Sequence, residues 1–204
     1  PQFDHVLVDE YQDVNTMQIE LIELLKPKNL FAVGDPRQSI FGWRGSDINY
    51  ILEFEKDYGE SQVITLTKNY RSAEQIVNFM NHSITEMGLP DLEHHTTQNP
   101  KPSKIKILDF ESEESERRFV LKKILESSNP KNEIFVLART NRQLAELSQI
   151  LKERNISHVV KTDEQRNPKA GQEGDLTLAT IHAIKGLEAK EVFVLGCNEE
   201  TLPC

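Results

Sequence analysis

The sequence predicts an α/β protein in which parallel sheets are flanked by helices. Short runs rich in β-branched and aromatic residues alternate along the chain with stretches of ten or more residues carrying apolar side chains at helical spacing. The composition, 37% hydrophobic and 28% charged over 204 residues, is that of a globular chain with room for one large domain or two small ones.

In chain order, Phe3–Val8 reads as a strand, Thr16–Leu25 as a helix, Leu30–Val33 as a strand, Asp47–Phe54 as a helix and Val63–Leu66 as a strand. A helix follows over Ser72–Met87. Ser72 and Gln75 have capping-box spacing, Ile76, Val77, Phe79, Met80 and Ile84 form one apolar stripe, and Gly88 and Pro90 end it. Asp91–Ser103, with Pro100 and Pro102, reads as an irregular connection. Beyond it come a strand at Ile105–Phe110, a helix at Glu113–Glu126, a strand at Ile134–Ala138 and a helix at Asn141–Arg154. Thr162–Asp175, with Pro168, Gly171 and Gly174, reads as a mobile loop before strands at Leu176–Thr180 and Val192–Leu195.

Nine glycines and nine prolines exclude collagen-like and low-complexity chains, and no apolar run reaches the ~18 residues that cross a bilayer. With only Cys197 and Cys204 and no secretory signal pattern, a cytoplasmic, reducing location is expected. The formal charge of −9 means that a nucleic-acid partner has to be held in a local groove against the global field. Charge is uneven: Pro1–Thr65 holds 5 Lys/Arg against 12 Asp/Glu, and the remainder holds 19 against 21, so a domain boundary is expected at 65/66. The start at Pro1, without methionine, suggests a piece of a longer protein.

Four stretches carry chemistry. Val6-Leu7-Val8-Asp9-Glu10-Tyr11-Gln12-Asp13 delivers two adjacent carboxylates at the carboxyl end of a strand, the edge where open α/β sheets bind ligands. Asp9 suits a Mg²⁺ shell and Glu10 the activation of a water for attack on phosphorus; a solvated acidic turn has the same composition. In Gly34–Ser46 a second strand ends in Gly-Asp before a loop in which Gln38 can meet a phosphate oxygen or an attacking water. Trp43, the only tryptophan, fits a base-stacking surface at ~1–3 kcal/mol per base better than a core anchor, because Gly42 and Arg44 flank it in a polar loop. In Asn69-Tyr70-Arg71-Ser72, Arg71 beside an expected helix N-terminus can meet an anion and Tyr70 offers a face to a purine; a buried Tyr with a surface Arg is the plainer alternative. In Thr180–Glu188 the Thr, His, Lys and Gly residues suit phosphodiester oxygens and Glu188 a ribose hydroxyl, although His182 alone would read as structural.

Together and in this order, these stretches resemble the UvrD/Rep/PcrA-type DNA helicases of superfamily 1 over almost the whole chain. The resemblance implies RecA-like P-loop NTPase motor domains, with residues 1–65 ending the first and 66–204 forming most of the second. It makes Asp9–Asp13 the Walker B segment, with Asp9 on Mg²⁺ and Glu10 as catalytic base. Gly34–Ser46 becomes motif III, in which Gln38 senses the γ-phosphate, Trp43 stacks on single-stranded DNA beside Phe41, and Arg44 links the two sites. Tyr70 would stack on adenine and Arg71 act as an arginine finger. Arg139 and Asn141, within Ala138-Arg139-Thr140-Asn141, would touch DNA, as would Thr180 and His182, with Glu188 on the nucleotide sugar. The function implied is an ATP-dependent helicase tracking single-stranded DNA 3′ to 5′ and unwinding duplexes or junctions in DNA repair, close to the nucleoid. The partners implied are ATP, DNA and possible further proteins, with no membrane and an open oligomeric state. A helicase–nuclease motor and a non-catalytic DNA- or partner-binding module are the alternatives.

The departures from the family pattern are specific. No glycine is followed by lysine, so the phosphate loop is expected before Pro1 and motif VI after Cys204, and the 204 residues alone are expected not to hydrolyse ATP. About 34 residues separate Asn141 from Leu176, where the family usually inserts a large accessory domain. Phe41 replaces a common tyrosine, and Ala189-Lys190 replaces an aromatic after Leu187-Glu188. His94-His95 lacks Asp or Cys at ligand spacing, so no metal is expected there.

Overall fold

The computed structural model describes residues 3–86, 94–99, 101–162, 175–199 and 201–202. The chain divides into two compact units, Pro1–Ile107 and Leu108–Cys204. Every pairing between named strands among the described residues is parallel, as the alternation predicts.

The first unit opens with β1 (His5–Val8), α1 (Thr16–Leu25) and β2 (Asn29–Ala32). β1 and β2 pair with Val8 opposite Ala32, so the loops that follow them leave from the same edge. The Asn15 side chain accepts the Gln18 N–H while Gln18 reaches back to the Asn15 N–H, a capping box that fixes where α1 starts. Ile19 and Ile22 then pack with Tyr11 and Val14 in a small core. The helix expected over Asp47–Phe54 is two short ones, α2 (Asn49–Leu52) and α3 (Phe54–Tyr58). The Asp47 carboxylate accepts the Asn49 N–H, so the helix starts beyond Asp47. The chain bends at Glu53, and Phe54 meets Tyr11 edge-on at 5.3 Å and Tyr58 at 4.7 Å.

The expected strand at Val63–Leu66 is absent: those residues are irregular, with Val63, Ile64 and Leu66 exposed. Instead β3 (Lys68–Ala73) pairs with β4 (Thr96–Asn99), which lies inside the stretch read as irregular. A strand needs a partner edge more than apolar content, and here polar side chains supply the fit. Asn69 Oδ1 accepts the Arg71 and Ser72 N–H groups, and Thr97 Oγ1 donates to the Ser72 carbonyl at 2.6 Å. That engagement corrects the expected helix start at Ser72: Ser72 is in β3, and α4 (Glu74–Glu86) begins two residues later. Of its apolar stripe, Val77 and Ile84 are buried, whereas Ile76 and Phe79 are exposed. The Gly88–Pro90 stop and residues 163–174 of the expected mobile loop lie outside the described residues, as does Cys204.

The second unit contains α5 (Glu113–Glu126), β5 (Ile134–Ala138), α6 (Asn141–Glu153), β6 (His158–Lys161), β7 (Leu176–Thr180) and β8 (Glu191–Leu195). Its sheet has the order β6-β7-β5-β8. Central β5 and β7 read as near-continuous apolar runs because helices or neighbouring strands cover them. Val120, Leu121 and Ile124 of α5 and Leu144, Leu147 and Leu151 of α6 pack on Val136 and Leu178. The strand expected at Ile105–Phe110 is irregular, with Ile105, Ile107 and Leu108 exposed. β6, an edge strand of four half-buried residues, had no distinct sequence signal.

Candidate active site

In the first unit the candidate residues sit on the two loops that leave the carboxyl ends of β1 and β2. The Asp9 Oδ1 accepts the Glu10 N–H at 2.9 Å, and Glu10 itself stands in the left-handed region at φ 52. For a non-glycine residue that conformation costs on the order of 1–3 kcal/mol and persists only where its surroundings hold it. The holding contacts are visible: the Tyr11 N–H donates to the Val33 carbonyl at 2.8 Å, and Gln12 Nε2 donates to Glu10 Oε2 at 2.6 Å. Asp9, Glu10 and Asp13 form the polar rim of a cleft of about 370 Å³ whose wall includes Val8, Val14 and Ile22. Carboxylate oxygens at a loop edge are of the type that a hard divalent ion prefers, but among the described residues no group of three or more His, Cys, Asp or Glu side chains is arranged to hold a metal ion.

The β2 loop is organised by Asp35. Its Oδ1 accepts the Arg37 N–H at 3.0 Å, and its Oδ2 accepts from Gln38 Nε2 at 3.2 Å, which orients the Gln38 amide. The Asp35 N–H donates to Gln12 Oε1 at 3.0 Å, so the two loops share one buried amide. Gly34 permits this approach: a Cβ there would lie 2.7 Å from Gln12 Oε1 and 2.8 Å from Ile51 Cδ1. Further along, the Arg44 guanidinium lies 4.9 Å from the Phe41 ring and 4.6 Å from the Trp43 ring, and Trp43 is 61% exposed. An aromatic of that exposure on a polar loop suits stacking better than core packing. Tyr70, 69% exposed, and Arg71 stand in β3, with the Arg71 carbonyl accepting from Asn99 Nδ2 at 2.6 Å.

One contact has no counterpart in the sequence motifs. Arg37 Nη1 approaches His95 Nε2 at 2.6 Å, and Asn81 of α4 holds the His95 main chain, accepting its N–H at 2.9 Å and donating to its carbonyl at 2.7 Å. A donating guanidinium requires a neutral imidazole acceptor. Burial first, then the Arg37 charge, hold the His95 pKa below its ordinary value, opposed by Asp35. Between that lowered value and about pH 6.5 the unfolded chain binds more protons, so the stability from neutral His95 is full above about pH 6.5 and is lost as pH falls through the folded value. His95→Gln, which keeps an acceptor without titrating, is therefore expected to lose less stability than the unmutated chain on going from about pH 7.5 to 5.5. Denaturant midpoints followed by Trp43 emission, which reports on this unit, check it; equal losses in both proteins would dismiss the contact.

In the second unit the candidate residues gather at the carboxyl edge of β5 and β7, where Ala138 lies opposite Thr180. The Arg139 Nη1 meets His182 Nδ1 at 3.1 Å, forming a basic pair from two loops. Thr180 is buried and its hydroxyl accepts the Ala183 N–H at 3.1 Å, so it caps the turn that carries His182. Thr140 and Gln143 form the capping box of α6, which presents exposed Asn141 in its first turn. Glu188 is exposed beyond Gly186, whose φ of 85 turns the chain there. Sequence reasoning missed Gln12, Asp35 and His95, because their roles depend on which loops the sheet brings side by side. For Gln12 and Asp35 the only hint was a short polar run directly after an apolar strand; His95, just before β4, lacked even that.

Two family models match the chain: "UvrD/REP helicase N-terminal domain" over residues 1–59 and "UvrD-like helicase C-terminal domain" over residues 64–166. The chain is also similar to proteins named ATP-dependent DNA helicase PcrA, 39% identical over 164 residues in Staphylococcus epidermidis and 38% over 164 residues in Staphylococcus aureus. In each case the match covers 78% of this chain and 22% of the relative, so the chain spans about a fifth of the length of these relatives.

Proposed function

The chain belongs to the UvrD-like helicase family, and from that premise we propose that it is part of an ATP-driven motor that tracks single-stranded DNA 3′ to 5′ and unwinds duplexes. In this reading residues 1–65 are the end of the first motor domain and residues 66–204 most of the second, a boundary taken from the sequence that differs from the division of the fold at 107/108. The observation that carries this reading is the parallel β1–β2 pair, which puts the Asp9-Glu10 loop and the Gln38–Arg44 loop on one edge joined through Gln12. ATP chemistry at one loop and strand contact at the other are thereby within one hydrogen-bonded unit.

In this reading Glu10 orients and deprotonates the attacking water, Gln38 reads the γ-phosphate, and Arg71 meets the charge that develops on it, while Tyr70 holds the nucleotide's base. Mg²⁺ bound at Asp9 would neutralise phosphate charge. Trp43, with Phe41 and Arg44, stacks on the strand, and Arg139, Asn141 and His182 form the second contact, while Thr180, buried and capping the His182 turn, positions that contact instead of making it as expected. With a net charge of −9, binding rests on these local groups.

The test is fluorescence anisotropy of a labelled single-stranded oligonucleotide with the 204-residue chain at two salt concentrations. Salt-sensitive binding that Trp43→Ala weakens by about 1–3 kcal/mol is expected, the measure of one lost base stack. Binding that Trp43→Ala leaves unchanged would remove Trp43 from the DNA track.

A further inference from the structure

We propose that Gln12 is the positioning residue that sets the Glu10 carboxylate and ties it to the Asp35–Arg44 loop. The assignment rests on the reading of Glu10 as the base, and it goes beyond that reading by naming what holds the base and what moves with it.

Gln12 is fully buried, which is uncommon for a glutamine two residues beyond an acidic pair. Each part of its amide has a use. Nε2 donates to Glu10 Oε2 at 2.6 Å and to Asp13 Oδ2 at 3.3 Å, Oε1 accepts the Asp35 N–H at 3.0 Å, and the Gln12 main-chain carbonyl accepts from Ser39 Oγ at 3.1 Å. The amide has one orientation only. Carboxylate oxygens can only accept on one side and a main-chain N–H can only donate on the other, so a flipped amide would lose its contacts on both.

The same amide therefore touches the base and the first residue of the loop that carries Gln38 and Trp43. From Asp35 the path runs to the Gln38 amide at 3.2 Å, and the Ser46 hydroxyl donates to the Phe41 carbonyl at 2.7 Å across the Trp43 turn. Displacing Glu10 displaces the donor side of Gln12, and with it the acceptor that holds Asp35. A general base worth its rate has to be held within a fraction of an ångström, and Gln12 is the group that holds it.

The experiment uses the 204-residue chain, and it reads the Asp35 amide by hydrogen exchange and the Trp43 indole N–H by NMR. Gln12→Glu keeps the shape and the acceptor toward Asp35 but sets a carboxylate against Glu10 and Asp13. It is expected to cut Asp35 protection about tenfold or more and to shift the Trp43 resonance. The reciprocal double variant, Glu10→Gln with Gln12→Glu, restores one donor–acceptor pair and is expected to recover both signals to within about threefold of the unmutated chain. A merely structural Gln12 would give additive damage in the double variant, and additivity overturns the proposal, as does an unchanged Gln12→Glu signal. Should Gln12→Glu fail to fold, Glu10→Gln alone decides: a shift of the Gln12 side-chain and Asp35 amide resonances supports the proposal, and unmoved resonances overturn it. None of these measurements involves DNA or ATP. Loss of the swap with intact Trp43-dependent DNA binding thus sinks the positioning role alone, and the reverse outcome sinks the motor reading alone.

Discussion

On the motor reading proposed above, the chain joined to both the phosphate-loop segment expected before Pro1 and the motif VI segment expected after Cys204 is expected to turn over Mg·ATP, and Arg71→Ala is expected to lower that turnover by about 10³–10⁵-fold, roughly 4–7 kcal/mol. The magnitude follows from the role proposed for Arg71, since a fixed positive charge aimed at a transferring phosphoryl group stabilises negative charge that exists only in the transition state. The residue is mounted for such work. Its N–H donates to Asn69 Oδ1 at 3.0 Å and its carbonyl accepts from Asn99 Nδ2 at 2.6 Å, so the main chain is clamped on both sides while the residue stays exposed. Arg71→Lys should recover little, because a point charge does not reproduce a planar fork. Steady-state turnover with saturating ATP checks this, and an Arg71→Ala rate within about tenfold of the parent would remove Arg71 from the chemistry. The 204 residues alone are expected to show no turnover, since none of their nine glycines precedes a lysine, as a phosphate loop requires.

Leu147→Ala is expected to cost about 2–5 kcal/mol, a large fraction of the roughly 5–15 kcal/mol typical of a domain, and to lower the denaturant midpoint of the second unit accordingly. Leu147 is fully buried among Leu144, Leu151, Val136 and Leu178, at the contact of α6 with the central strands. Truncation removes the transfer free energy of the lost methyl and methylene carbons and leaves a cavity that a close-packed sheet and helix cannot collapse into. Loss of far-UV ellipticity at lower denaturant, with Trp43 emission of the first unit unchanged, is the expected signature. A midpoint within experimental error of the unmutated chain would mean that α6 is not docked as described.

Much of the second unit was legible before any coordinates. Ile134–Ala138 and Leu176–Thr180 announce themselves because a central parallel strand is apolar on both faces, and the helix from Asn141 because its apolar residues recur at helical spacing. The acidic pair and the Trp43 loop were legible because chemistry-bearing residues directly follow apolar strands, and strand ends are where α/β sheets bind ligands. Elements whose existence depends on a distant partner were not legible. Lys68–Ala73 and Thr96–Asn99 are polar and look like turns, yet they pair through Asn69, Thr97 and Asn99, while the more apolar Val63–Leu66 and Ile105–Phe110 stay irregular.

Local periodicity and residue chemistry were enough for the α/β class, for most of the order of the elements, and for the placement of charge, aromatic faces and amides at strand ends. The meetings of Gln12 with Asp35, of Arg37 with His95 and of Arg139 with His182 arise only once the chain has folded. Each of those contacts joins residues on separate segments. Strand pairing makes neighbours of the loops that carry Gln12 and Asp35 and of those that carry Arg139 and His182, whereas Arg37 and His95 belong to the surroundings of two separate sheets, and neither relation is contained in a single stretch of sequence.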